Sequence, residues 1–183
     1  LIQEYQEEIQ SDFEGTIIDI ETIGRFNQLY RYTNDVREYE YIQQVIFGSI
    51  DRHALRILYV RDTSEITELN ERVATVIDSL LRPFYAFNTS FETGVLYFGL
   101  GEELYFDGEL QDEKFEAKAK AVRNLSIPNY DDPFYDKGIL CMHAWESGQY
   151  DTAIAHNRAC LLKERDILLK RGSREPNELV FGR

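Results

Sequence analysis

The sequence predicts an α/β domain, with a mixed central sheet that contains an antiparallel meander and is flanked by helices. Three observations carry this expectation. Short runs rich in β-branched and aromatic residues crowd the first third of the chain. A helical period then separates them from one more short apolar run. The last third shows helical spacing punctuated by glycines.

Each element has a local reason. After a polar start, Gly15-Thr16-Ile17-Ile18-Asp19-Ile20 reads as a buried strand. Gln28 to Thr33 alternates as a second strand, Gln44 to Ile50 reads as a third and Ala54 to Val60 as a fourth. Asp51-Arg52-His53 links the last two tightly, as an antiparallel meander requires. Asp62-Thr63-Ser64-Glu65 starts a helix with an acidic first turn, and Ile66, Leu69, Val73, Val76, Ile77 and Leu80 give it one apolar face, ending near Pro83. Phe84 to Phe87 is a short strand, and Asn88-Thr89-Ser90 caps a helix beginning near Phe91. Helices are expected at Lys114 to Leu125, Lys137 to Ser147 and Tyr150 to Lys170, with a loop at Pro128 to Pro133.

The 183 residues suffice for one domain, 1–183, with 1–12 and 172–183 as peripheral ends. A hydrophobic fraction of 43% with no low-complexity tract excludes wholesale disorder. No apolar run is long enough for a membrane span, so no membrane association is expected. Leu1 to Ser11 lacks an apolar core, so no signal peptide is expected; without an initiator Met the chain reads as a fragment or a processed form. The net charge of −13 argues against a general nucleic-acid coat but leaves room for a carboxylate-lined metal site. Cys141 and Cys160 fit a reducing, cytoplasmic setting, and with His53, His143 and His156 they match no structural zinc spacing.

Three places can carry chemistry. Asp19 and Glu21 are two apart on a strand, so both carboxylates project from one face. A divalent cation would resolve their repulsion, although on spacing alone a polar strand end facing water is the plainer reading. Glu92 follows Asn88 in the first turn of a helix, and reaches the same space if its strand lies beside the first one; otherwise it complements the helix dipole. His156 and Cys160 share a helix face as a metal pair, a redox thiol or plain core. Lys118, Lys120 and Arg123 form a small basic cluster that can hold a phosphate, although a solvated helix face is the plainer reading, as it is for Lys163-Glu164-Arg165-Asp166. Tyr85, Phe87, Phe91, Tyr97, Phe98 and Tyr130 are mostly core, with exposed members able to stack on unpaired bases.

In order along the chain, these places resemble the DEDD (DnaQ-like) 3′–5′ exonucleases. Gly15 to Gly24 is similar to the first motif, a strand ending D-x-E-T-x-G; Tyr85 to Glu92 is similar to the second, F/H-N-x-x-F-D. Trp145 to Gly148 and then Ile154 to Cys160 resemble the third motif of the YprB-related branch. The resemblance implies a ribonuclease H-like fold and a metal-dependent hydrolase cutting single-stranded DNA or RNA from its 3′ end. It implies Mg²⁺ or Mn²⁺ held by Asp19, Glu21 and Glu92, with His156 as the group that orients or deprotonates water. It places Thr22, Asn88 and Phe91 against the substrate.

Two substitutions depart from the motifs. Glu92 stands for Asp, which lengthens the arm by about 1.5 Å. Cys160 stands for the final Asp, and a neutral thiol is a poor ligand for a hard cation, so a second ion should bind weakly. Glu164, one turn further on, can replace the lost acid, whereas Asp166 lies off that face. The alternative is a degenerate module that keeps the fold and binds nucleic acid or a protein partner, or relies on a clamp segment outside this chain.

Overall fold

The computed structural model describes residues 1–182. Six strands form one mixed sheet: β1 (Gln3–Glu8), β2 (Thr16–Gly24), β3 (Ile42–Ile50), β4 (Ala54–Tyr59), β5 (Phe84–Ala86) and β6 (Gly108–Glu109). Their order across the sheet is β1-β4-β3-β2-β5-β6. Strands β1 to β4 pair antiparallel, while β5 lies parallel to β2 and β6 parallel to β5. The helices are α1 (Ile66–Ile77), α2 (Thr89–Leu100), α3 (Lys118–Asn124), α4 (Gly138–Glu146) and α5 (Tyr150–Arg171).

Thr16 through Glu21 are all buried. Successive strand side chains point to opposite faces, so β2 is covered on both. That explains its unbroken apolar run, Ile17-Ile18 and then Ile20, interrupted only by the acids. Helices α4 and α5 pack on β2, α5 also crosses β3 and β4, and α1 and α2 pack on β3 and on each other.

The sequence expectations need five corrections. Gln28 to Thr33 is not a strand: Gln28–Tyr30 is a 3₁₀ turn capped by Asn27, and Tyr32 and Asn34 adopt positive φ. The alternation there faces outward, with Leu29 and Tyr32 exposed, so no core face recruits it. Residues 3–8, expected as part of a peripheral end, form the edge strand β1, whose exposed acidic side chains hid it. The other expected end is also tied down, by bridges Glu109–Arg174 and Asp35–Val180. The helix expected over 114–125 is confined to Lys118–Asn124. Helix α2 begins at Thr89, and Asn88 makes no side-chain cap. The capping carboxylate comes from β6 instead: Glu109 accepts from the Thr89 backbone N–H at 3.1 Å and from its hydroxyl at 2.8 Å.

Candidate metal and catalytic pocket

A β-bulge lies between Glu21 and Thr22 in the β2–β3 pairing, where Glu21 faces Ile46 but Thr22 faces Gln44. Bulges re-aim side chains at strand ends. Asp19 and Glu21 lie just before it, projecting to one face. Opposite Asp19 in the register is Gly48. A Cβ on Gly48 would sit 2.2 Å from Asn157 Oδ1, so the missing side chain is what admits Asn157 of α5. Asn157 Nδ2 then donates to both the Asp19 carbonyl at 3.1 Å and Asp19 Oδ2 at 2.9 Å. One amide therefore fixes both the backbone and the carboxylate of Asp19.

Around this point the acids converge. Asp19 and Glu21 come from β2, Glu92 from the first turn of α2 and Glu164 from α5, and all are buried. Lys118, at the start of α3, reaches in: its Nζ lies 3.4 Å from Asp19 Oδ1 and 3.3 Å from Glu164 Oε2. Burial alone would lower the Lys118 pKa, but Asp19, Cys160, Glu164 and Glu21 outweigh it and hold the ammonium well above its ordinary value. Glu92 and Glu164 are pushed well up, first by burial and then by Asp19. Burial also raises Glu21, to about 7, with His156 pulling it down and Asp19 pushing it up. Among the described residues, Glu92 Oε2 and Glu164 Oε1 are buried oxygens without a hydrogen-bond partner. Unsatisfied carboxylate oxygens at the meeting point of four acids suit a hard divalent ion in donor type.

His156 sits on α5 with its Nδ1 2.7 Å from Asp132 Oδ1 and its Nε2 3.5 Å from Glu21 Oε1. Burial opposes protonation of the ring, yet Glu21 and Asp132 raise its pKa. Burial would raise Asp132, but His156 and then Lys163 lower it far below the usual carboxylate range. Asp132 is thus ionised, so Nδ1–H donates to it and Nε2 faces the pocket. Lys163 Nζ, fully buried, holds Asp132 Oδ2 at 2.9 Å, Asp136 Oδ1 at 2.8 Å and Asn129 Oδ1 at 3.0 Å.

Above these groups opens a cavity of 540 Å³, within the range of small-molecule sites. Asp19, Glu21, Thr22, Asn88, Phe91, Glu92 and His156 all line it, as do Arg25 and Lys118. Phe91 packs edge-on against Phe26 and Tyr39. Cys160 lies beneath, 1% exposed, its Sγ 3.5 Å from His156 Nε2. Two trios among the described residues bring their ligand atoms within 4.8 Å of one another: Glu21–His156–Cys160 and Asp132–Asp136–Cys160. Asp19 and Glu92 belong to neither trio.

Of the site residues expected from sequence, seven line this one cavity, and Cys160 lies outside its lining against His156. The structure corrects two others: Lys118 is a part-buried partner of Asp19 and Glu164, and Lys163 and Glu164 are buried, paired with Asp132 and with Lys118, rather than on solvated faces. Sequence reading missed the pocket role of Lys118 and missed Asp132, left inside a loop. Its signal lies on the partner helix: Lys163 follows His156 by seven residues, two turns, and so sits on the same face. Comparisons with family models, curated proteins and solved structures give no match to this chain.

Proposed function

We propose that this pocket hydrolyses phosphodiesters at the 3′ end of single-stranded DNA or RNA, with Mg²⁺ or Mn²⁺, on a ribonuclease H-like fold. The observation that carries the reading is the convergence of Asp19, Glu21 and Glu92 from two elements on one cavity, with the fully buried Glu164 of a third element joined to Asp19 through Lys118. Glu164 supplies the acid that Cys160 does not. Asp19, Glu21 and Glu92 would hold the ion, which when bound lowers the charge on the phosphate and favours ionisation of water.

The chain's own groups do the rest. Asn157 keeps the Asp19 carboxylate aimed. His156 Nε2 takes the proton as the water oxygen bonds to phosphorus and the phosphorus–O3′ bond breaks. The departing oxygenate is protonated from solvent, and Asp132 carries the imidazolium charge through Nδ1–H. Phe91 and Asn88 at the rim meet the terminal nucleotide, and Lys118 adds positive charge for its phosphate.

A binding module is the second reading, favoured by Lys118, whose ammonium already neutralises Asp19 and Glu164. A 5′-labelled oligonucleotide with Mn²⁺ separates the two. Stepwise shortening that Asp19→Ala abolishes supports hydrolysis. An intact oligonucleotide that still binds, across Mg²⁺ and Mn²⁺, supports the module.

A further inference from the structure

Glu21, His156 and Cys160 have a geometry of their own. Ligands at about 2.0–2.3 Å from a tetrahedral ion stand roughly 3.3–3.7 Å from one another. His156 Nε2 lies 3.5 Å from Glu21 Oε1 and 3.5 Å from Cys160 Sγ. These match two edges of such a tetrahedron, and all three ligand atoms fall within 4.8 Å. An ordinary His–carboxylate pair does not require a sulfur at that third corner.

The second observation lies behind the ring. Metal-bound histidines commonly give their other ring N–H to a carboxylate, which fixes the tautomer. Asp132 does this for His156 at 2.7 Å, and the buried Lys163 fixes Asp132 in turn. The Nε2 lone pair is left for an ion. The donor set is one oxygen, one nitrogen and one sulfur, which suits a borderline-soft ion and not Mg²⁺. Glu21 and His156 line the cavity, so a fourth position opens onto it.

We propose that Glu21, His156 and Cys160 form a three-ligand site for a zinc-class divalent ion, which shares Glu21 with the hard-ion position but draws its other ligands from His156 and Cys160 instead of Asp19 and Glu92. Binding releases the Cys160 thiol proton to solvent as sulfur bonds the ion. The ion occupies Nε2 of His156 and one oxygen of Glu21, so it inhibits the hydrolysis proposed above. Ion binding itself does not depend on that reading; only the inhibition does.

Co²⁺ titration of the full chain tests the site, because a thiolate ligand gives a sulfur-to-cobalt charge-transfer band. The expected result is a 1:1 complex with that band, lost in Cys160→Ser and kept in Cys141→Ser, with circular dichroism showing both variants folded. Asp132→Asn should weaken Co²⁺ affinity about 10–100-fold while keeping the band. No band in the wild-type chain, or a band that survives Cys160→Ser, overturns the proposal. In the oligonucleotide assay, Zn²⁺ should inhibit Mn²⁺-driven shortening, less so in Cys160→Ser relative to its own rate. A cobalt band without any shortening keeps the site and removes the nuclease reading. Shortening without a band does the reverse.

Discussion

Lys118 is the residue whose environment says most about the pocket. Its ammonium lies between Asp19 and Glu164, with only 16% of its side chain exposed. Removing one partner of a buried ion pair strands the others, at a cost of about 3–5 kcal/mol. Lys118→Met should therefore destabilise the ion-free protein strongly. It should also gain more melting temperature from Mn²⁺ than the wild type, because the ion takes over the lost positive charge; equal gains would mean that ion and ammonium do not share the same acids. Much of the site was legible at this scale. Asp19, Glu21, Glu92, His156 and Cys160 were readable from spacing and from motif resemblance, and Glu164 from its helical face. Lys118 was not, because nothing local shows that the first residue of a short helix enters a pocket. Asp132 was not, because its role depends on a loop returning to α5.

At the scale of elements, the β3–α5 contact positions the site. Gly48 lets α5 approach closely enough for Asn157 to grip Asp19. A side chain there must push Asn157 away, and overpacking of this kind costs about 1–3 kcal/mol. Gly48→Val should lower the melting temperature and also weaken Mn²⁺ binding, as measured by calorimetry. A loss of stability with unchanged affinity would show that Asn157 does not aim Asp19. The elements with a buried face were readable: β2, β3 and β4 as short apolar runs, α1 from its apolar period and α5 from apolar positions between Gly148 and Gly172. Those without one were misread. Strand β1 is exposed and acidic, β6 spans only Gly108–Glu109, and the alternation at Gln28 to Thr33 faces outward. Backbone pairing decides such segments, and side-chain patterns do not record it.

Across the whole molecule, a net charge of −13 is combined with a buried acidic cluster, so pH and ions act together. Folding raises the pKa of Glu21 to about 7 and raises Glu92, Glu164 and His156. A raised pKa means that the folded state holds the proton more tightly. These groups stabilise the fold below their unfolded pKa values and lose that contribution as pH rises through the folded ones. Asp132, lowered, acts oppositely, but only at more acidic pH. Without ions, the melting temperature should fall as pH rises from about 5 to about 8. Mn²⁺ should restore it most at the alkaline end, and a flat profile in a thermal melt series would contradict the cluster's ionisation scheme. No helix among the described residues is long and apolar enough to cross a membrane. The most direct measurement is anomalous diffraction from crystals grown with Mn²⁺. The expected result is a peak bonded to Asp19 and Glu92 oxygens, beside a His156 still held by Asp132. No peak in the cavity, with Lys118 still bridging Asp19 and Glu164, would contradict the reading of this pocket as a metal-dependent catalytic centre.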